Sequence, residues 1–173
     1  KLEKFDIVAK NLLEIVKERE FEFLFTKNSL FTGNDLERFV PVLLTARDRS
    51  IEKNFVQGIL AELGYSKLKN HPGYQLEIEA FGNLKVWQGK KLMQHQDWER
   101  EKAKELFLLF LLHLGETIPK EQIYYYLWPE KSEKKAGRNF KVTLNALKNA
   151  LEPDRKRRQK PFFIIRHGSY YGF

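Results

Sequence analysis

At 173 residues, with 42% hydrophobic and 14% aromatic residues, the chain has material for one domain or two small ones and is not a disordered polypeptide. It has no cysteine, which excludes disulfides and thiol catalysis and points to a reducing, cytoplasmic setting. Its net charge of +8 points to an anionic partner.

The charge is unevenly spread. Residues 1–73 hold 12 Lys/Arg against 11 Asp/Glu, and residues 74–173 hold 19 against 12. Within the second half, residues 134–173 carry 11 basic residues and only two acids, Glu152 and Asp154. No membrane partner is expected. The longest apolar run, "LFLLFLLHL" at 106–114, falls short of the ~20 residues that cross a bilayer. The start, "KLEKFDIVAK", lacks the apolar core of a signal peptide. The only methionine is Met93 and the chain stops at "GSYYGF", so a fragment of a longer protein is expected.

In chain order, Phe5, Val8, Leu12, Leu13 and Val16 recur at helical spacing in "LEKFDIVAKNLLEIVKERE". "FEFLFTKNSLF" is ambiguous. Asn34 with Glu37 at the N3 position forms a capping-box pattern opening "DLERFVPVLLTAR", which Pro41 should kink or divide. Ser50 is expected to cap "IEKNFVQGILAEL", which Gly64 stops. Residues 1–70 thus read as an α-helical module, of the kind that ends a repeat array or a sensor region. "NHPGY" at 70–74 is turn-rich and marks the domain boundary, with the second domain at 71–173.

Beyond it the period changes from helical to alternating. Leu76, Ile78 and Ala80 alternate with polar residues in "YQLEIEAF", Gly82-Asn83 turns the chain, and "LKVWQG" and "KKLM" follow as strands. Asp97 is expected to cap "WEREKAKELFLLFLLHL", ended by Gly115, and this helix should run into the domain centre. Pro119 suits N1 of "PKEQIYYYLW", which Pro129 closes. A charged loop, 129–135, leads to "AGRNFKVTLNALKNAL" at 136–151. After the basic loop "PDRKRRQKP" at 153–161, "FFIIRHGSYYGF" reads as a hairpin with a His-Gly-Ser turn.

The helix at 136–151 has two faces. Phe140, Leu144, Leu147 and Leu151 fall in one narrow arc, flanked by Ala136, Thr143 and Ala150. Opposite lie Arg138, Lys141, Val142, Asn145, Ala146 and Asn149, with no acid until Glu152. A face built only for solvation mixes both signs of charge. The expected class is therefore α+β: a helical N-terminal region, then a winged helix-turn-helix domain with an N-terminal antiparallel sheet and a C-terminal β-hairpin wing. Helix 119–128 supports, helix 136–151 recognises and hairpin 162–173 is the wing.

"FGNLKVWQGKKL", "WEREKAKELFLLFLLHLGETIPKEQIYYYLWPE", "RNFKVTLNALKNALEP" and the closing "YYGF" resemble the DNA-binding domain of OmpR/PhoB-type response regulators. The nearer similarity is to the SARP and bacterial transcriptional activator group. The resemblance covers about residues 74–173, with its motifs in order. It implies a sequence-specific regulator of transcription, an activator, that binds direct repeats in promoter double-stranded DNA. By position, Arg138, Asn139 and Thr143 match residues that such proteins use against phosphates, and Asn145 and Ala146 lie at or beside base-reading positions. Trp128 matches an aromatic residue that meets the backbone, Arg166 the wing arginine, and Tyr170 or Tyr171 the wing tyrosine. Ala146 departs from the family, where Arg is frequent.

The chemistry of B-DNA assigns further roles. Arg138 suits a guanine edge or a phosphate, Asn145 or Asn149 an adenine, and Val142 a thymine methyl. Lys141 and Lys148 suit phosphates, and Arg166 and His167 the minor groove or its backbone. RNA polymerase through loop 129–135 and a homodimer on DNA are the other expected partners. Two rival readings are a winged-helix protein-interaction module without DNA binding, and RNA binding through the same basic face. No cofactor, metal site or catalytic residue is expected. The four histidines (71, 95, 113, 167) show no metal spacing, and Asp97, Glu99 and Glu101 serve a helix dipole.

Overall fold

The change of period after residue 70 corresponds to a change of architecture. The computed structural model describes residues 2–27, 36–156 and 158–173. It divides into two compact units, Lys1–Gln75 and Leu76–Phe173, each with its own apolar core. Among the described residues no helix is long and apolar enough to cross a membrane.

The N-terminal unit is helical: α1 (Leu2–Glu18), α2 (Phe23–Thr26), a 3-10 turn (Leu36–Phe39), α3 (Val40–Asp48) and α4 (Lys53–Glu62). Leu13 and Val16 of α1 pack with Val40, Leu43 and Leu44 of α3 and with Val56, Ile59 and Leu60 of α4. Pro41 does divide its segment. The turn before it is 3-10, and Pro41 occupies the first turn of α3, where its missing N–H costs nothing. Gly64 stops α4 in a left-handed conformation (φ 78°). Ser50 is not the cap: it is itself left-handed (φ 61°), and α4 begins only at Lys53 after a left-handed Glu52. Asn34, the expected cap before Glu37, lies outside the described residues.

The C-terminal unit opens with an antiparallel sheet of β1 (Leu76–Glu79), β2 (Lys85–Gln88) and β3 (Lys91–Leu92), in the order β1-β2-β3. Leu76 pairs with Gln88 and Ile78 with Val86. A 3-10 turn (His95–Trp98) follows. The Asp97 carboxylate accepts the Gln94 N–H (2.8 Å), closing that turn rather than capping the next helix. The long apolar helix, α5 (Glu101–Leu112), starts later than expected and buries Ala103, Leu106, Phe107, Leu109 and Phe110. Its burial is one-sided: Leu108 and Leu112 stay exposed.

Then come β4 (Thr117–Pro119), α6 (Lys120–Leu127), α7 (Glu133–Leu151), β5 (Ile165–His167) and β6 (Tyr170–Gly172). The strand β4 was not expected, and Pro119 is its last residue, not the first residue of α6. It pairs with β6, giving a second antiparallel sheet in the order β4-β6-β5. That pairing ties the hairpin to the segment between α5 and α6. Gly172 makes it possible, because a Cβ there would collide with the Glu116 carbonyl oxygen.

Candidate nucleic-acid interface

Helix α7 is the centre of the C-terminal unit and of the candidate site. It starts at Glu133, three residues ahead of the expected Ala136, because its first turn is charged and carries no apolar period to mark it. Phe140, Leu144, Leu147 and Leu151 are buried against α5 and α6, and Gly137 gives the Tyr124 hydroxyl room to approach the backbone (3.3 Å from where a Cβ would stand). The C-terminal end is held twice. The Gln88 amide of β2 donates to the Ala150 carbonyl (2.6 Å), satisfying an otherwise orphaned end group. Glu152, itself buried, accepts the Phe162 and Phe163 N–H groups (2.7 and 3.1 Å) and so fixes the chain entering the hairpin. Burial pushes the Glu152 carboxyl above its ordinary range, against those two N–H groups and the nearby Arg155 and Lys148.

With the helix so fixed, its free face is set. Arg138, Lys141, Val142 and Asn145 are exposed, at spacings that put them on one side of the helix, and Val142 is 49% exposed. Asn139, Lys148 and Asn149 are half-buried at the margins. Two expected contact residues are instead core. Thr143 is 4% exposed and Ala146 2%. Their burial has a common cause: α7 is flanked by α5, by α6 and by the 3-10 turn at 95–98, so its covered arc is wider than the leucine stripe implies.

Two expected aromatic contacts are also covered. Trp128, 4% exposed, is part of the core at the end of α6. Tyr171, 7% exposed, packs edge-on against Phe140 (ring centroids 4.9 Å). Tyr170, its neighbour, is exposed, as are Arg166 and His167. Strand alternation explains the pair: successive side chains of β6 point to opposite faces, so only one tyrosine can be outward. The Arg166 guanidinium lies over the Tyr171 ring (5.4 Å) and its Nε donates to the Gly168 carbonyl (3.0 Å), which orients it across the hairpin turn.

Between α7 and the hairpin runs an open groove of about 610 Å³. Lys120, Lys141, Lys148 and Arg166 line it, with Asn145 and Ser169, and among the described residues no carboxylate does. Lys148 senses the crowding: burial, and then the cations Arg155 and Arg166, push its ammonium below the ordinary lysine value, with Glu152 opposing. A groove that concentrates like charge and desolvates one of the cations is relieved by an anion in it. A second groove of about 510 Å³ lies on the other flank of α7, lined by Arg100, Lys102, Trp128, Asn139, Val142 and Thr143, with Glu101 as the one acid.

No protein family, characterised protein or solved structure matches the chain. Lys120 and Ser169 carry no sequence signal as groove residues, since nothing local places the start of α6 or the hairpin turn beside α7. Glu152 did leave a signal. An acid at a helix C-terminus opposes the helix dipole, so its presence there calls for a tertiary partner.

Proposed function

We propose that the C-terminal unit is a winged helix-turn-helix that binds double-stranded DNA in a sequence-specific manner, as a transcriptional regulator. In this reading α7 enters the major groove, and Arg166, His167 and Tyr170 of the hairpin reach the adjacent minor groove or its backbone. The observation that carries it is the groove between α7 and the hairpin, lined by four cations and by no carboxylate among the described residues, together with the exposed α7 residues Arg138, Lys141, Val142 and Asn145. The row combines the three chemistries that base edges demand: a guanidinium for guanine or phosphate, an amide for adenine, and a methyl-bearing side chain for thymine. Lys120, Lys141 and Lys148 supply phosphate neutralisation, which releases counterions and makes affinity fall with salt. Activation and contact with RNA polymerase through the loop 129–135 extend the same reading, as does assembly as a homodimer on direct repeats. It assigns no catalytic role to any residue.

Binding sites selected from random duplex DNA test the proposal. Arg138→Ala and Asn145→Ala should each lower affinity for the selected site by about 10-fold or more and relax its specificity, since a good base contact is worth ~1–3 kcal/mol. Unchanged affinity and selectivity in both variants would sink the assignment of α7. Structured RNA as competitor separates RNA from DNA on the same face.

A second reading has its own observation. Leu108, Leu112 and Tyr126 are exposed around an apolar groove between α5 and α6, which suits a protein partner. Salt-insensitive protein binding, with no DNA affinity even at low salt, would select that reading instead.

A further inference from the structure

The basic loop between α7 and β5 lines neither groove beside α7, yet its own hydrogen bonds shape it. Arg155 donates its backbone N–H to the Glu152 carbonyl (3.1 Å) and its Nη1 to the Gln159 carbonyl (2.9 Å). Gln159 returns two bonds to Lys156: its N–H donates to the Lys156 carbonyl (2.9 Å) and its Oε1 accepts the Lys156 N–H (3.3 Å). The base of the loop is pinned where Glu152 takes the Phe162 and Phe163 N–H groups. One arginine and one glutamine shape the loop, and Lys156, Arg158 and Lys160 are each exposed in it.

We propose that Lys156, Arg158 and Lys160 form a second, sequence-independent DNA-backbone contact that lengthens the footprint beyond that of α7 and the hairpin. The inference rests on the DNA-binding reading and adds a site to it. Three observations support it. The loop's root adjoins the groove, because Arg155 stands close enough to Lys148, which lines it, to disfavour the lysine's charge. Of the two acids in 134–173, Glu152 is buried and turned to the backbone, leaving Asp154 as the one exposed carboxylate beside three exposed cations. Holding like charges together in a folded loop costs free energy that a row of phosphates offsets. The loop also lacks what a membrane contact needs. Its neighbouring aromatics, Phe162 and Phe163, are half-buried and packed on each other (5.2 Å), with Phe163 stacked on Phe173, not presented as anchors.

The test compares the full chain with the Lys156→Gln/Arg158→Gln/Lys160→Gln variant and with Arg138→Ala/Asn145→Ala. Each is measured on the selected duplex and on a scrambled one, across salt, with hydroxyl-radical footprints and circular dichroism to confirm folding. The loop variant should lose affinity for both duplexes by the same factor, about 10-fold or more near 0.1 M salt, and its log–log salt slope should fall by roughly 2–3. Its footprint should shorten at one end, and its site preference should stay. The proposal is overturned if the loop variant keeps wild-type affinity, slope and footprint while the wild type binds DNA. It is also overturned if the variant loses only binding to phosphatidylserine vesicles. A wild type that binds no duplex at all defeats the underlying reading, an outcome the first titration separates from failure of the loop alone.

Discussion

The two units of this chain solve the same packing problem with differently charged surfaces. Both leave apolar side chains outside, Val8 of α1 at 57% exposure and Leu112 of α5 at 81%, but the N-terminal unit is nearly balanced in charge. The C-terminal unit has the charge excess and brings Lys120, Lys141, Lys148 and Arg166 to the groove between α7 and the hairpin. Their buried polar groups differ in the same way. The N-terminal unit buries a neutral imidazole, His71, whose Nδ1 accepts the Gly73 N–H (2.9 Å). The C-terminal unit buries Gln88 and Glu152, both of which hold the end of α7. Gln88 and Glu152 thus fix a helix whose outer face exposes Arg138, Lys141, Val142 and Asn145. In the first unit the single buried imidazole closes a local turn.

The largest effect that would sharpen this contrast comes from the core of the C-terminal unit. Phe107, fully buried against Trp98 and Phe173, should cost about 3–5 kcal/mol when changed to Ala. Denaturant unfolding should then show an earlier transition for the second unit. A single transition shifted for the whole chain would instead mean that the two units unfold together. Next in size is Ala146→Arg, which places a guanidinium at a covered position of α7. Because Ala146 is buried, the change should destabilise the unit by about 1–3 kcal/mol and should not tighten DNA binding. A tighter, equally stable variant would show that this position does reach the groove.

The smallest effects are those of pH, and the two units should respond in opposite directions. Burial holds the His71 imidazole down to about 4, below its unfolded value, so its contribution is present above pH ~6.5 and is lost as pH falls towards 4. For Glu152 the folded value is raised. Its contribution is present below the ordinary glutamate range and is lost as pH rises through the folded value. Thermal unfolding between pH 4 and 7 should therefore show an acid-sensitive N-terminal unit whose sensitivity disappears in His71→Gln. The Glu152→Gln variant should flatten the opposing trend in the C-terminal unit alone. Equal pH profiles for His71→Gln and the wild type would remove the imidazole from the account.

Much of the architecture could be read from local pattern. The strands at 76–79 and 85–88 announce themselves by alternation, α7 by its Phe-Leu-Leu-Leu stripe, and the ends of α4 and α5 by Gly64 and Gly115. The three-residue strand β4 could not be read, since Thr-Ile-Pro has no period and acquires strand character only by pairing with β6. Ser50 and Asp97 were good caps by residue type, yet neighbouring turns took them over. In the candidate site, Arg138, Lys141, Val142, Asn145, Arg166 and His167 are exposed where the helical and hairpin patterns put them.

By itself the sequence determined where charge and apolar groups recur, and with them the change from a helical to a mixed region and the acid-free face of α7. Periodicity is a property of the local backbone, so local residues suffice to reveal it. Tertiary structure alone decided which residues at the margins of that face are covered: Thr143, Ala146, Trp128 and Tyr171 go inside, and Tyr170 stays out. It also brought Lys120 and Ser169 to the groove and turned Glu152 inward. These depend on what packs beside a helix or strand, and a neighbour distant in the chain leaves no mark on the local period.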